Sequence, residues 1–154
     1  MTSSSSPLLE LPVSVDPADQ HQDQHQLVAR RTEWVSIVNT RDLSGYVQLV
    51  SENVVWLPPS QLPVEGRKAF EDWLRPFFER FEYEFVLVDP VVRLSGDWAI
   101  ENGTFDTVMT GEDGIPTRHG GEYLVFWHRE SDGIWYLERY LDESDRHQIS
   151  SDDT

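Results

Sequence analysis

From Tyr83 onward the chain reads as one strand after another, and its helical spacing lies ahead of that point. The segments "YEFVLVDPVVRL", "AIENGTFDTVMT", "RHGGEYLVFWHRE" and "IWYLERYLDE" are joined by turns at Gly96-Asp97-Trp98, Gly111-Glu112-Asp113-Gly114 and Ser131-Asp132-Gly133. Connections that short leave no room for a crossover helix, so neighbouring strands must run antiparallel as a meander. Pro90 cannot donate to a ladder and marks a bulge or an edge in the first of them. Helices gathered before a run of strands predict an α+β domain, a sheet packed against segregated helices.

The earlier half supplies three helices. In "SVDPADQ", Asp16 is placed to cap, Pro17 suits the first helical position and Asp19 favours the dipole. Leu27, Trp34 and Val38 then line one side, with Ile37 adjoining. Asp42 caps a short second helix, "DLSGYVQLV". A strand, "NVVWL", ends at Pro58, Pro59 and Pro63, and Gly66 precedes a third helix, "RKAFEDWLRPFFERF". Phe70, Trp73, Leu74, Phe77 and Phe81 give that helix its apolar face, and Pro76 is expected to kink or shorten it. Residues 1–15, rich in Ser and Pro, and 145–154 are expected to be disordered tails around one domain, 16–144.

Composition narrows the function. A net charge of -16 repels phosphate backbones and anionic membrane surfaces, so neither nucleic acid nor a membrane is an expected partner. No cysteine means no disulfide, thiolate metal site or cysteine nucleophile. No apolar run approaches the roughly 18 residues of a membrane span, and the N-terminus does not read as a signal peptide, so a cytoplasmic protein is expected. Six Trp, five Tyr and seven Phe exceed what a small core needs, and such a surplus lines pockets or interfaces.

Three segments in sequence, "EWVSIVNTRDLSGYVQLVSENVVW", "VEGRKAFEDWL" and "GEYLVFWHRESDGIWYLERYLDES", resemble the nuclear transport factor 2-like superfamily, which includes ketosteroid isomerase, polyketide cyclases and scytalone dehydratase. The resemblance spans roughly residues 19–144. It implies a cone-shaped roll in which a strongly curved, mostly antiparallel sheet wraps around the long N-terminal helix, with two further helices. It also implies a pocket at the open end and a homodimer through the sheet's outer face. By strand alternation, Trp135, Leu137 and Leu141 share one face and Tyr136, Glu138 and Tyr140 the other. The outer face is expected to carry Trp98, Ile100, Trp127 or Phe126, Trp135 and Leu137.

Carried over position by position, the ketosteroid isomerase base falls on Leu57 or Pro58, neither of which accepts a proton. The helix tyrosine falls on Trp34, and the sheet acid on Tyr123, which retains a donor. A steroid isomerase proper is therefore set aside. The catalytic candidates are Glu101 or Glu138 as an inward carboxylate, Tyr123 as oxyanion donor and His119 in support. Trp34, Trp56, Trp73, Phe77, Phe105 and Tyr140 are the expected ligand-binding rings. His21 and His25, with Asp19 or Asp23, lack the third-ligand pattern of a metal site, and neither metal nor cofactor is expected. The sequence thus reads as a small-molecule-binding cone with cofactor-free isomerase, cyclase or dehydratase chemistry on an apolar carbonyl or polycyclic ligand. The alternative is a non-catalytic association module with a vestigial pocket.

Overall fold

The computed structural model describes residues 17–145. The Asp16 cap and the expected tails lie outside the described residues, apart from Asp145, which closes the last strand. Helices α1 (Pro17–Thr40) and α2 (Leu43–Leu49) lead into strands β1 (Val50–Leu57) and β2 (Val64–Glu65) and helix α3 (Arg67–Arg80). Strands β3 (Glu82–Ser95), β4 (Trp98–Thr110), β5 (Pro116–Arg129) and β6 (Trp135–Asp145) follow. Asp42 caps α2 as its side chain predicts, accepting from the Gly45 N–H at 3.0 Å. Gly45 is needed there, because a Cβ would lie 2.4 Å from the capping carboxylate. Helix α3 continues through Pro76 and ends at Arg80.

The six strands form one mixed sheet in the order β2-β1-β6-β5-β4-β3. All neighbours are antiparallel except β1 and β6, which are parallel. The fold is α+β, as the element order predicts, with the cone arrangement that the resemblance implied. Leu27, Trp34, Ile37 and Val38 of α1 are buried in the core, as the stripe on that helix predicts. The carboxamide of Asn39 fixes α1 to β3: it donates to the Phe85 carbonyl at 3.0 Å and accepts from the Phe85 N–H at 2.6 Å.

Within the antiparallel meander β3 to β6, two irregularities shape the sheet. In β3 the register shifts between Val88 and Val91, where Asp89 adopts φ 51° beside Pro90. Gly103 on β4 faces that bulge, and a Cβ there would approach the Val88 carbonyl oxygen to 2.9 Å. The second shift lies in β6. Trp127 pairs with Leu137 and Phe126 with Arg139, which leaves Glu138 as an extra residue. An extra residue breaks strict alternation. Trp135 and Leu137 consequently point into the core, and so does Tyr140 three residues later.

That bulge corrects two expectations. Trp135 and Leu137 do not belong to the outer face; both are fully buried, as is Trp127. The Trp135 indole donates to Gln26 of α1 at 3.1 Å. Glu138, expected inward with Tyr140, lies instead on the outer side, 3.3 Å from the imidazole of His128. Trp98 and Ile100 do lie on that outer face and remain exposed.

Candidate functional site

The open end of the cone holds a cavity of about 300 Å³. Helix α1 contributes Trp34 and Val38, α2 Tyr46, and α3 Trp73, Leu74, Phe77 and Phe78. The sheet contributes Trp56, Phe85, Phe105, Thr107, Met109, His119, Tyr140 and Asp142. The apolar stripes of α1 and α3 and the inward parity of the strands therefore meet here. All six expected ligand-binding rings, Trp34, Trp56, Trp73, Phe77, Phe105 and Tyr140, line the cavity. Pro58, one of the two positions counted for the isomerase base, lines it as well.

The rings pack on one another, one pair stacked and others edge to face. Trp56 stacks on Tyr140 at 4.1 Å and 11°. Trp34 meets Tyr140 at 90°, and Tyr46 meets Trp56 at 84°. Edge-to-face contacts of this kind match the positive ring edge to the negative face. The Trp34 indole N–H donates to the Tyr46 hydroxyl at 2.8 Å. Burial pushes the Tyr46, Tyr83 and Tyr140 phenols well above their ordinary value, with the Asp142 carboxylate adding to the effect at Tyr140. These hydroxyls stay protonated and act as neutral hydrogen-bonding groups. Tyr140 donates to Asp142 at 2.5 Å.

Glu101 sits behind this wall and does not line the cavity. Its side chain is completely buried. Arg31 grips it with two hydrogen bonds, Nε to Oε2 at 3.0 Å and Nη2 to Oε1 at 3.1 Å. The Tyr123 hydroxyl donates to Oε2 at 2.6 Å and the Trp127 indole to Oε1 at 3.2 Å. Burial and the adjacent carboxylate raise the Tyr123 phenol well above its ordinary range. Four donors on one carboxylate describe a charge held in place, and the Tyr123 hydroxyl is spent on it. Trp34 packs edge-on against both Tyr123 and Trp127, so the network backs the ring that forms part of the cavity wall.

The four catalytic candidates are thus dispersed. His119 is half-buried at the cavity, and Glu101 and Tyr123 are joined one layer behind it. Glu138 is on the outer face. Two participants escaped the sequence reading. Asp142, a cavity carboxylate, shares the inward parity of Tyr140 and was open to the same counting. Arg31 lies four residues after Leu27 and three before Trp34, and a base on a buried helical stripe signals an inward acid.

His21 and His25 are exposed on α1, and the nearby Asp23 carboxylate is engaged by Arg129 at 2.5 Å. Elsewhere, His128, Glu130 and Glu138 each bring one ligand atom within 4.8 Å of the others. One imidazole and two carboxylates are ligands of the type a divalent ion accepts, but they lie outside the cone.

Residues 32–137 match the SnoaL-like domain family. No curated protein matches the chain. A putative aromatic ring hydroxylase from Novosphingobium aromaticivorans is similar in structure, with a TM-score of 0.76 at 17% identity over 86% of this chain and 96% of that one. A nuclear transport factor 2-like superfamily protein from Salmonella enterica gives 0.74 at 12%, over 83% and 94%. A ketosteroid isomerase-like protein from Erwinia carotovora gives 0.69 at 17%, over 80% and 96%. At such identities the structural likeness establishes the fold alone.

Proposed function

The chain belongs to the SnoaL-like domain family, and from that premise we propose that its cone binds a small apolar or aromatic molecule and acts on it by cofactor-free acid–base chemistry. The observation that carries this reading is the ring-lined cavity of about 300 Å³ with only a few polar groups in its wall. Small-molecule sites have this form: apolar surface supplies affinity, and a few placed polar atoms fix orientation.

Within it, His119 is the proton-exchanging group, since imidazole is the side chain whose ordinary titration lies nearest neutrality. The Tyr140–Asp142 pair anchors the ligand's polar end. Arg31, Glu101 and Tyr123 act through Trp34 as positioning residues. The reaction class is isomerisation, cyclisation or dehydration, in keeping with the ketosteroid isomerase-like description of one structural neighbour. A conformationally restricted wall of rings suits such reactions because it excludes water around the transferred proton.

Trp34, Trp56 and Trp73 make the cavity report on its own occupancy. Titration with a panel of aromatic ketones and polycyclic phenols is expected to quench tryptophan emission saturably. His119→Gln should leave that binding within about threefold while removing turnover of any compound the wild type converts. The reading fails if no member of the panel produces saturable quenching.

A second reading has its own support. Val86, Val88, Val91, Trp98 and Ile100 are exposed on the outer side of the sheet. Several large apolar side chains exposed on one sheet face mark an interaction face, and a second copy of the chain is the occupant we infer for it.

A further inference from the structure

We propose that His128, Glu130 and Glu138 bind a divalent first-row transition-metal ion of the zinc class on the outer side of the sheet, independently of what the cavity holds. One ligand atom from each of the three lies within 4.8 Å of the others. Nδ1 of the His128 imidazole and Oε1 of Glu138 are already 3.3 Å apart. Two ligands on one zinc ion stand roughly 3.0–3.5 Å apart, since its bonds to nitrogen and oxygen are about 2.1 Å long. That pair therefore needs no rearrangement, and a turn of the Glu130 side chain closes the rest of the gap.

The backbone explains why these three side chains converge. His128 and Glu130 lie two residues apart at the end of β5, so alternation puts them on one face, opposite the buried Trp127. Closure of the hairpin holds Glu130: its N–H donates to the Ile134 carbonyl at 3.0 Å, and its own carbonyl accepts from the Gly133 N–H at 2.8 Å. Glu138 is the extra residue of the β6 bulge, and a bulge re-aims a side chain. Trp98 stacks on the His128 imidazole at 4.2 Å and 19°, which restrains the rotation of that ring and leaves its edge to the carboxylates. Charge favours a cation at this point. All three side chains are half-buried, and two of them are carboxylates. Among the described residues, Arg129 is committed to Asp23 and Asp97, and no lysine or arginine pairs with Glu130 or Glu138. Two partly desolvated like charges repel, and a divalent ion between them turns that repulsion into attraction. The imidazole then selects the ion, because nitrogen suits zinc and its neighbours whereas magnesium and calcium take oxygen ligands. Water completes the coordination, and the bound ion clips the end of β5 to the bulge in β6.

The test titrates zinc chloride, and separately magnesium chloride, calorimetrically into the full-length protein. One zinc ion per chain is expected to bind saturably, at least about tenfold more tightly than magnesium. Zinc should also raise the thermal unfolding midpoint, because an ion held by the folded chain stabilises it by mass action. His128→Gln and Glu138→Ala should each weaken zinc binding by at least about tenfold and remove the rise in midpoint. Near-UV dichroism matching the wild type confirms that each variant is folded, and Glu130→Ala, in the turn after β5, is a third variant that leaves the strands unaltered. His21 and His25, exposed four residues apart on α1, are the rival ligands, so the double variant His21→Gln/His25→Gln should keep the tight zinc binding. The proposal is overturned if zinc does not bind saturably. It is overturned equally if magnesium binds as tightly as zinc, which would mean attraction to an acidic chain and no imidazole ligand. Zinc binding that survives unchanged in folded His128→Gln and disappears in His21→Gln/His25→Gln would place the ion on α1 and also overturn it.

Discussion

Arg31 and Glu101 lie 70 residues apart in sequence and meet in two parallel hydrogen bonds, with Glu101 wholly removed from water. An ion pair in that setting is a poor source of net stability, since desolvation offsets most of the attraction, yet either half alone is strongly destabilising. Arg31→Met should therefore lower unfolding stability by about 3–5 kcal/mol, read as the shift in urea midpoint. Adding Glu101→Gln to that variant removes the stranded charge and keeps an acceptor for Tyr123, so the double variant should be the more stable of the two. Losses that simply add would show that the pair is not coupled. Alternation along "AIENGTF" groups Glu101 with Phe105 and Thr107, and the resemblance turns that parity inward. What it faced was not legible there, because strand parity gives a direction and no depth. The missing information sat on α1, where Arg31 occupies a stripe otherwise held by Leu27 and Trp34.

The same limit operates between elements, and the two bulges show where it falls. In β3 the proline announces the irregularity, because a residue without an N–H cannot continue the ladder, and the register does shift beside Pro90. In β6 nothing in "LERY" marks one, and Glu138 is an ordinary strand-compatible residue. Alternation was therefore carried straight through it, which placed Tyr140 inward and also put Glu138 inward and Trp135 outward. The bulge serves both halves of the strand: Trp135 and Leu137 are buried in the core, Trp135 bonded to Gln26 of α1, and Tyr140 and Asp142 reach the cavity. Deleting Glu138 restores strict pairing and must turn one of those halves outward. That should cost about 3–5 kcal/mol, the scale of removing a large buried aromatic, and flatten the near-UV dichroism of the ring cluster. Glu138→Ala, which keeps the residue count, should cost less than about 1 kcal/mol, since the side chain is only a surface partner of His128. Equal tolerance of both changes in thermal and urea unfolding would mean that the extra residue does not set the two faces.

At the scale of the molecule, a cone leaves one side of its sheet without helices, and the register shows what that side presents. The row Arg93, Ile100, Phe126 and Arg139 crosses four strands, flanked by the row Ser95, Trp98, His128 and Tyr136 and by Val91, Asn102, Leu124 and Leu141. Trp98, 39% exposed, stacks on His128 at 4.2 Å, which holds a large ring flat against the sheet where a partner can cover it. The element order foretold a sheet with such an outer side, and Trp98 and Ile100 were placed on it from alternation in β4, a strand that carries no extra residue. Two copies meeting there bring together apolar centres while each carries a net charge of -16. Burial of the patch favours association and the overall charge opposes it, so the balance depends on ionic strength. Raising salt from low to moderate concentration shortens the screening length to about 10 Å and removes most of the long-range repulsion, leaving the apolar term intact. Sedimentation equilibrium should then report twice the chain mass, with the dimer strengthening as salt is added. Trp98→Glu puts a charge on the central ring position without touching the cavity, and it should return the chain to a monomer at every salt concentration while ligand quenching persists. An unchanged dimer mass in that variant would place the contact elsewhere on the molecule, and a dimer that weakens with salt would show that charges, not the rings of β4 and β5, hold the copies together.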